Sequence, residues 1–177
     1  DRGKIFTKNQ VKGTSVYGER LVNFRGTEYR LWDPKRSKLG AAIMKKSNLP
    51  KFGEKDVWLY LGSASGTTVS HISDIATKGM IYCVEFAPRV MRDFIFMAEK
   101  RNNISPILES ALHTHKYESR VSLVDILFQD IAQKSQVEIF LKNFRFLKED
   151  GNAILAVKAR SIDVSKKPKQ IFEMVRK

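Results

Sequence analysis

Five apolar runs of strand length, separated by segments of helical character, constrain the fold of this chain most strongly. The runs cover residues 57–61, 80–86, 104–108, 121–128 and 153–157. Helical spacing of apolar residues and helix-start signals predict helices over 37–46, 67–76, 88–100, 133–147 and 168–175. Alternation of such runs with helices indicates βαβ units. The sequence therefore predicts an α/β protein with a doubly wound, mostly parallel sheet.

The N-terminal part of the chain has a different pattern. Residues 15–32 are rich in Tyr, Val, Phe and Trp and are interrupted by Gly18 and Gly26, which predicts short strands joined by tight turns. The Asp33-Pro34 pair ends this segment. We therefore expect a small β-rich region over 1–34, followed by the main domain over 35–177.

Positive charge is concentrated at the two ends of the chain, whose formal net charge is +13. Residues 1–55 carry 14 Lys and Arg against 5 Asp and Glu, and residues 158–177 carry 7 against 2. Residues 56–157 are nearly balanced, with 11 against 12. A polyanion is the natural partner of basic ends, because phosphate contacts release counterions. A solvated basic surface is the alternative, and a membrane surface is disfavoured because no segment pairs a basic with a broad apolar face.

Several classes of protein are excluded by composition. The single cysteine, Cys83, rules out an internal disulfide and any cysteine-cluster zinc site. No His and carboxylate set has the spacing of metal ligands, so no metal is expected. No apolar stretch approaches the roughly 18 residues of a membrane-spanning helix.

A loop of small residues, from Gly62 to Gly66, follows the first apolar run of the main domain. In doubly wound sheets a ligand binds beyond the carboxyl ends of the strands, and small residues let the backbone approach it. Glu85 ends the second run and is suited to the hydroxyls of a ribose. The pattern predicts a nucleoside cofactor without choosing one. The nicotinamide fingerprint G-x-G-x-x-G is not matched because Ala64 stands at its third position, and no P-loop is present.

Longer motifs identify a specific family. The chain contains Tyr60-Leu-Gly-Ser-Ala-Ser-Gly-Thr-Thr-Val-Ser-His-Ile-Ser-Asp74, Tyr29-Arg-Leu-Trp-Asp-Pro34 with Arg36-Ser-Lys-Leu39, Val84-Glu-Phe86, Asn103-Ile-Ser-Pro-Ile107, Asp130-Ile-Ala-Gln133 and Val157-Lys-Ala-Arg-Ser-Ile-Asp163. In this order they resemble the fibrillarin family over nearly the whole chain. The Gly/Arg-rich tail of the eukaryotic members is absent, so the resemblance is to the archaeal form.

The resemblance implies a class I S-adenosylmethionine methyltransferase fold, which is Rossmann-like, and S-adenosyl-L-methionine as the methyl donor. It implies RNA ribose 2′-O-methylation of rRNA, and of tRNA in archaea, within a box C/D guide-RNA particle. The implied partners are the guide RNA, a Nop-type scaffold protein and a kink-turn-binding protein. The implied location is the cytoplasm for an archaeal protein and the nucleolus for a trimmed eukaryotic one.

A carboxylate residue and a lysine follow the fourth and fifth predicted strands, at their tips. Asp130 follows the fourth run and Lys158 the fifth, so both face the expected cofactor crevice. From position alone they could equally form a surface salt bridge. By resemblance they are the catalytic Asp and Lys of the family, and Lys38 is the lysine that joins them.

The resemblance and the loop position also suggest cofactor contacts. We expect Gly62, Ala64, Thr67 and Thr68 near the methionine part, Glu85 on the ribose hydroxyls and Phe86 against the adenine. Further expected cofactor-binding residues are Ser110, Ala111, Asp130 and Gln133. One position departs from the family, which usually has an Asp where this chain has Ser110, so weaker adenine binding or substitution by Glu109 is expected.

The C-terminal part also departs from the family pattern. The family continues with another helix–strand unit and a final antiparallel pair, so we expect a truncated form whose fifth strand is an exposed edge. These departures keep a non-catalytic RNA-binding scaffold open as an alternative. A nicotinamide-dependent oxidoreductase and a methyltransferase acting on protein or unguided RNA are further alternatives.

RNA contact is expected from basic clusters rather than from base-reading aromatics, since no RNP-type motif is present. The expected RNA-binding residues are Lys35, Arg36, Lys45, Lys46, Lys166, Lys167 and Lys169.

Overall fold

The computed structural model describes residues 3–176; the outer limits of the two predicted regions, at residues 1 and 177, lie outside them. A small sheet comprises β1 (Ile5–Lys8), β2 (Leu21–Phe24) and β3 (Thr27–Trp32). A large sheet comprises β4 (Val57–Leu61), β5 (Met80–Glu85), β6 (Ile104–Leu108), β7 (Val124–Gln129) and β8 (Leu147–Leu155). The helices are α1 (Lys38–Met44), α2 (Thr67–Ile75), α3 (Pro88–Ala98), α4 (Gln136–Lys142), α5 (Ala159–Ile162) and α6 (Pro168–Val175).

The large sheet confirms the predicted doubly wound topology. Its strand order is β6-β5-β4-β7-β8, and every neighbouring pair is parallel. The chain first adds β5 and β6 on one side of β4 and then returns to add β7 and β8 on the other side. This change of direction at β4 creates the switch point at which such sheets bind ligands.

Strand β4 lies at the centre and supplies side chains to both faces of the sheet. Trp58 and Tyr60 pack into a core with residues of α1, α2 and α3, and Leu59 and Leu61 pack into a second core beneath α4. All four are at least 97% buried. This explains the unbroken apolar run, because a strand covered on both faces has no polar side.

The small antiparallel sheet has the order β1-β3-β2. Strands β2 and β3 form a hairpin whose two-residue turn, Arg25-Gly26, has φ values of 50° and 77°. Positive φ at both positions is the conformation that matches the strand twist in a tight hairpin, and it explains the glycine.

A buried network of charges joins the small sheet to α2. Asp74 accepts hydrogen bonds from Arg30 Nη1 at 2.9 Å, Arg101 Nη1 at 2.7 Å and Thr7 Oγ1 at 2.7 Å. Glu19 accepts from Arg30 Nε at 2.6 Å. These four charged side chains are at most 1% exposed, so each relies on its partners for compensation.

His71 lies beside this network and has a structural role. Its ring stacks on Trp32 with 4.9 Å between centroids, and its two nitrogens lie 2.7 Å from Thr7 Oγ1 and Tyr17 Oη. Burial, followed by the positive charges of Arg30 and Arg101, lowers the pKa of His71 to about 2. The ring is therefore neutral at physiological pH.

Four details differ from the predicted elements. Strand β1 was not predicted, because Ile5 and Phe6 are too few apolar residues to signal a strand. The helix predicted over 133–147 is only α4, followed by a 3₁₀ turn over Asn143–Phe146, and residues 133–135 belong to a loop instead. The fifth run was predicted over 153–157, whereas β8 begins at Leu147 and ends at Leu155, and its register with β7 shifts. Helix α5, which follows β8 directly, was not predicted either.

Two further observations concern the whole of residues 3–176. No helix among them has the length and apolar character needed to cross a bilayer. Strand β8 is an edge of the large sheet within this part of the chain, which agrees with the expected exposed fifth strand.

We predict that Asp74→Asn destabilises the protein by about 3–5 kcal/mol, because it leaves two buried guanidinium groups facing a neutral amide. Urea unfolding monitored by circular dichroism measures the change. Glu54→Gln is the matched control, since it neutralises one acid of an exposed pair, Glu54–Lys78 at 2.8 Å, and should barely move the midpoint. Equal midpoints for the two variants would contradict the assigned importance of the network.

Candidate active site

The tips of five neighbouring parallel strands converge at one edge of the large sheet. Gly62 N donates to Val84 O at 2.8 Å and Asp130 N donates to Leu61 O at 2.9 Å, so both loops leave the sheet in register. Because all the carboxyl ends point to this edge, residues distant in sequence become neighbours there.

An acid and two lysines form a compact cluster at this edge. Lys38 Nζ, at the start of α1, lies 2.8 and 3.0 Å from the two carboxylate oxygens of Asp130. Lys158 Nζ lies 3.1 Å from Asp130 Oδ1 and 3.2 Å from the Asp130 carbonyl oxygen. The Asp130 side chain is 16% exposed, and those of Lys158 and Lys38 are 29% and 48% exposed. Asp130 therefore contacts both of the other residues predicted as catalytic, and all three are accessible from solvent.

A cleft of about 250 Å³ opens beside this cluster. Its walls come from the tips of β4, β5, β6, β7 and β8 and from the loops that follow them. The lining residues are Gly62, Val84, Glu85, Phe86, Glu109, Ala111, Asp130, Ile131, Ala132, Gln133 and Lys158. Of the predicted cofactor-binding residues, six line the cleft: Gly62, Glu85, Phe86, Ala111, Asp130 and Gln133.

The loop after β4 requires its glycine. Gly62 has φ of 83°, and a Cβ there would lie 2.7 Å from Ile131 Cγ2 and 2.8 Å from the Asp130 carbonyl oxygen. Any side chain would therefore push the loops after β4 and β7 apart. Ala64 also has positive φ, at 47°, and the N-terminus of α2 has no side-chain cap, which leaves backbone N–H groups for a ligand.

Glu85 is held in a defined orientation at the tip of β5. Its two carboxylate oxygens accept hydrogen bonds from Ala64 N at 3.2 Å and Ala87 N at 3.0 Å. The residue is 8% exposed, yet it lines the cleft. Phe86, next to it, is 62% exposed and presents an aromatic ring to the same cleft.

Four predicted cofactor residues do not line the cleft. The Thr68 hydroxyl donates to Ser37 Oγ at 3.0 Å, and Ser37 caps the N-terminus of α1. Ser110 Oγ accepts from Leu112 N at 3.3 Å, so it stabilises its own turn. Ala64 acts through its backbone on Glu85, and Thr67 lies in the first turn of α2 outside the cleft wall.

Glu109 lines the cleft next to the position where the family has an acid. Its carboxylate accepts from Ser110 N at 2.8 Å and pairs with His113 and Lys116 at 3.5 and 3.6 Å. The hydrogen bond from Ser110 N–H is the main cause that lowers the pKa of Glu109. The cleft thus retains an acceptor near Phe86 although Ser110 turns away.

Sequence reasoning missed two polar residues around the cleft. Ser63, in the glycine loop, has a buried hydroxyl without a hydrogen-bond partner in the described chain, and its place in the loop was the available signal. Gln136 is fully buried and bonds to the backbone of Lys158, and no local sequence pattern indicates this contact.

All the residues predicted to contact RNA are solvent-exposed: Lys35, Arg36, Lys45, Lys46, Lys166, Lys167 and Lys169. Lys35 and Arg36 precede α1 directly and therefore lie within a few residues of Lys38 and the acid–lysine cluster. The three lysines of 166–169 stand at the start of α6. In residues 3–176 no group of three or more His, Cys, Asp or Glu side chains is arranged to hold a metal ion.

A parallel sheet with a glycine loop after its central strand and a fixed acid at the next strand tip defines the nucleoside-cofactor-binding class of α/β proteins. The family model described as Fibrillarin matches residues 1–177. The fibrillarin-like rRNA/tRNA 2′-O-methyltransferase of Methanosarcina barkeri is 53% identical over 174 residues, which is 98% of this chain and 76% of that protein. The chain belongs to the fibrillarin family.

Solved structures agree with this assignment. The Methanococcus jannaschii fibrillarin pre-rRNA processing protein has a TM-score of 0.93 at 44% identity, covering 98% of this chain and 76% of that one. Aeropyrum pernix fibrillarin with natively bound S-adenosyl-L-methionine has a TM-score of 0.89 at 48% identity, with the same coverage. Fibrillarin in a fibrillarin/Nop5p complex has a TM-score of 0.85 at 45% identity, covering 93% and 77%.

We predict that Gly62→Ala destabilises the protein more than Gly18→Ala. Both residues have nearly the same positive φ, 83° and 82°, but a Cβ at Gly18 meets nothing within 4 Å, so the pair separates the steric clash from backbone strain. Gly18→Ala should cost about 1–2 kcal/mol, and Gly62→Ala should exceed it clearly in urea unfolding. Equal losses would show that the loops after β4 and β7 do not need their close approach.

Proposed function

We propose that this chain catalyses the transfer of a methyl group from S-adenosyl-L-methionine to ribose 2′-hydroxyls of RNA. The observation that carries the proposal is the contact of Asp130 with both Lys38 and Lys158 at the mouth of the cleft. The identities of about 50% to proteins named rRNA/tRNA 2′-O-methyltransferases support the same activity.

Features of the cleft in this chain fit S-adenosyl-L-methionine. Glu85 offers oriented carboxylate oxygens for two ribose hydroxyls, and Phe86 and Glu109 offer a flat apolar surface and an acceptor for an adenine. Gly62 provides the side-chain-free wall, and Ser63 has a buried hydroxyl without a hydrogen-bond partner among residues 3–176. Gln133 lies on the wall adjoining Asp130.

S-adenosyl-L-methionine supplies a methyl group that is already activated on a sulfonium, so the chain chiefly has to align the accepting oxygen with it. Asp130 and Lys158 lie where a ribose hydroxyl would meet the cleft. Asp130 is placed to accept a hydrogen bond from that hydroxyl, and its charge is balanced by the two ammonium groups. Lys158 is placed to stabilise the oxygen as negative charge develops on it.

The proposed assembly includes RNA and a Nop-type protein, in line with the fibrillarin/Nop5p complex among the similar structures. We further propose a guide RNA and a kink-turn-binding protein, because the chain carries exposed basic clusters but no aromatic base-reading motif. Lys35 and Arg36 adjoin Lys38, so phosphates bound there would lead the RNA backbone to the cluster. A cytoplasmic location is part of the same proposal.

A non-catalytic scaffold is not favoured. Such a protein would not need an acid held by two lysines beside a cleft that also presents Glu85. The turned-away Ser110, which first suggested a remnant pocket, is offset by Glu109 on the cleft wall. Calorimetry with S-adenosylhomocysteine and with NAD tests the alternative of a nicotinamide-dependent oxidoreductase, since only the former should bind.

Asp130→Ala and Lys158→Ala should each reduce methyl transfer by roughly 10²–10⁴-fold, because each removes a group that acts on the reacting hydroxyl. Affinity for S-adenosylhomocysteine should stay within about threefold of the unmodified chain. A radiolabelled methyl-transfer assay in the assembled particle measures the first and calorimetry the second. Lys142→Ala, which opens only the exposed Lys142–Glu138 pair on α4, is the control. Full turnover by Asp130→Ala or Lys158→Ala would refute the assignment.

RNA affinity should fall steeply with salt, and removing Lys35 and Arg36 together should reduce the slope of log K against log salt by about two. Filter binding at several salt concentrations gives the slope. The double variant Lys142→Ala/Arg145→Ala removes two charges that are paired with Glu138 and Glu118 on another part of the surface, so its slope should not change. A salt-independent affinity would contradict phosphate contact.

A further inference from the structure

Regular secondary structure holds only one backbone group of Lys158. Strand β8 ends at Leu155, and Lys158 is the N-cap of α5, whose Ser161 N donates to the Lys158 carbonyl oxygen at 2.9 Å. Its φ of −94° and ψ of 83° are those of a connecting residue. A lysine that must meet Asp130 at 3.1 Å therefore depends on other contacts to fix its backbone.

Gln136 provides those contacts through both ends of its side-chain amide. Gln136 Oε1 accepts from Lys158 N at 2.9 Å, and Gln136 Nε2 donates to Lys158 O at 3.2 Å. One amide thus pairs with both backbone groups of one residue, as a neighbouring strand would. Gln136 is fully buried, so water does not compete for these bonds.

The same glutamine also bonds to two other segments near the cleft. Gln136 Nε2 also donates to the carbonyl oxygen of Gln133, a cleft-lining residue, at 3.0 Å. The Gln136 carbonyl oxygen accepts from Gln129 Nε2 at 2.6 Å, and Gln129 is the last residue of β7, immediately before Asp130. Through its side-chain amide and its backbone carbonyl, Gln136 therefore joins the segments that carry Asp130, Gln133 and Lys158.

We infer that Gln136 is a positioning residue for methyl transfer, which holds the backbone of Lys158 so that its ammonium group meets Asp130 and the ribose oxygen. This inference rests on the proposed function. It assigns no contact with substrate or cofactor to Gln136 itself, which does not line the cleft. Its effect should therefore appear in the chemical step and hardly at all in cofactor binding.

The decisive variant is Gln136→Met, which keeps the length and approximate volume of the side chain but removes its donor and acceptor. A displacement of the reacting groups by about 1 Å can cost 10²-fold in rate. We expect the single-turnover rate in the assembled particle to fall at least about tenfold. The KM for S-adenosyl-L-methionine should stay within about threefold of the value for the unmodified chain. A lower rate with an unchanged KM is not the result expected from a general loss of stability.

Asn103→Leu is the matched control for stability. Asn103 is also a buried amide, 3% exposed, which bonds to Ser73 and Ala76 on the opposite part of the sheet from the cleft. This variant also replaces a buried amide by an apolar group of similar size. It should lower the thermal midpoint at least as much as Gln136→Met, while its single-turnover rate at a temperature where it is folded stays unchanged.

A folded Gln136→Met protein with the unmodified rate overturns the inference, and so does a tenfold rate loss in Asn103→Leu. If Gln136→Met does not fold, Gln136→Asn answers the question, because it keeps a buried amide but shortens the side chain by one methylene, so that the amide no longer reaches both backbone groups of Lys158. A rate at least about fivefold lower supports the inference and an unchanged rate overturns it. If the particle assembled with the unmodified chain shows no methyl transfer, that result contradicts the proposed function instead.

Discussion

The close approach of two backbone loops is the constraint on which the site depends. The loop after β4 passes so near the carbonyl group of Asp130 that only a residue without a side chain fits at Gly62. This contact brings the glycine loop, which shapes one wall of the cleft, against the segment that carries the acid. The acid also bonds to lysines at the start of α1 and just after β8. The close approach of the two loops therefore helps to position four parts of the chain, which are the loops after β4 and β7, the start of α1 and the segment after β8.

Holding these parts in place requires support from outside the site. The charges of Glu19, Arg30, Asp74 and Arg101 form a buried network between the small sheet, α2 and the end of α3. Helix α2 follows the glycine loop directly, and its Thr68 hydroxyl bonds to the Ser37 cap of α1. Lys38 is the next residue. The small N-terminal sheet thus stabilises the helix that supports both the glycine loop and the first of the two lysines.

The sequence predicted the large sheet well because its strands are buried on both faces and appear as unbroken apolar runs. Strand β4 and helix α6 have the predicted bounds, and the topology followed from the alternation of the elements. Strand β1 gave too weak a pattern, since it depends on pairing with β3, which is distant in sequence. Residues 133–135, which lie in the loop before α4, were predicted as helix because the local composition does not reveal that Gln136 Nε2 bonds to the Gln133 carbonyl oxygen.

Residues of the candidate site were predictable where their position at a strand tip determines their role. They were not predictable where the direction of the side chain determines it. Asp130, Lys158 and Glu85 follow from their places after strands, whereas the directions of Thr68 and Ser110 depend on Ser37 and Leu112, which local sequence cannot reveal. The two-ended bond from Gln136 to Lys158 likewise exists only in the folded chain. Here the energetic requirement to satisfy buried polar groups selects the geometry.

The central claim is that neighbouring strand tips bring the methyl donor, one carboxylate and one ammonium group around a single ribose oxygen. The most direct measurement is a crystal structure of this chain with S-adenosyl-L-methionine bound. We expect the ribose hydroxyls of the cofactor to bond to Glu85 and its methyl group to face the space between Asp130 and Lys158. Asp130 and Lys158 should stay in contact in that complex. A cofactor bound away from Gly62 and Glu85, or Asp130 and Lys158 turned apart in that complex, would contradict it.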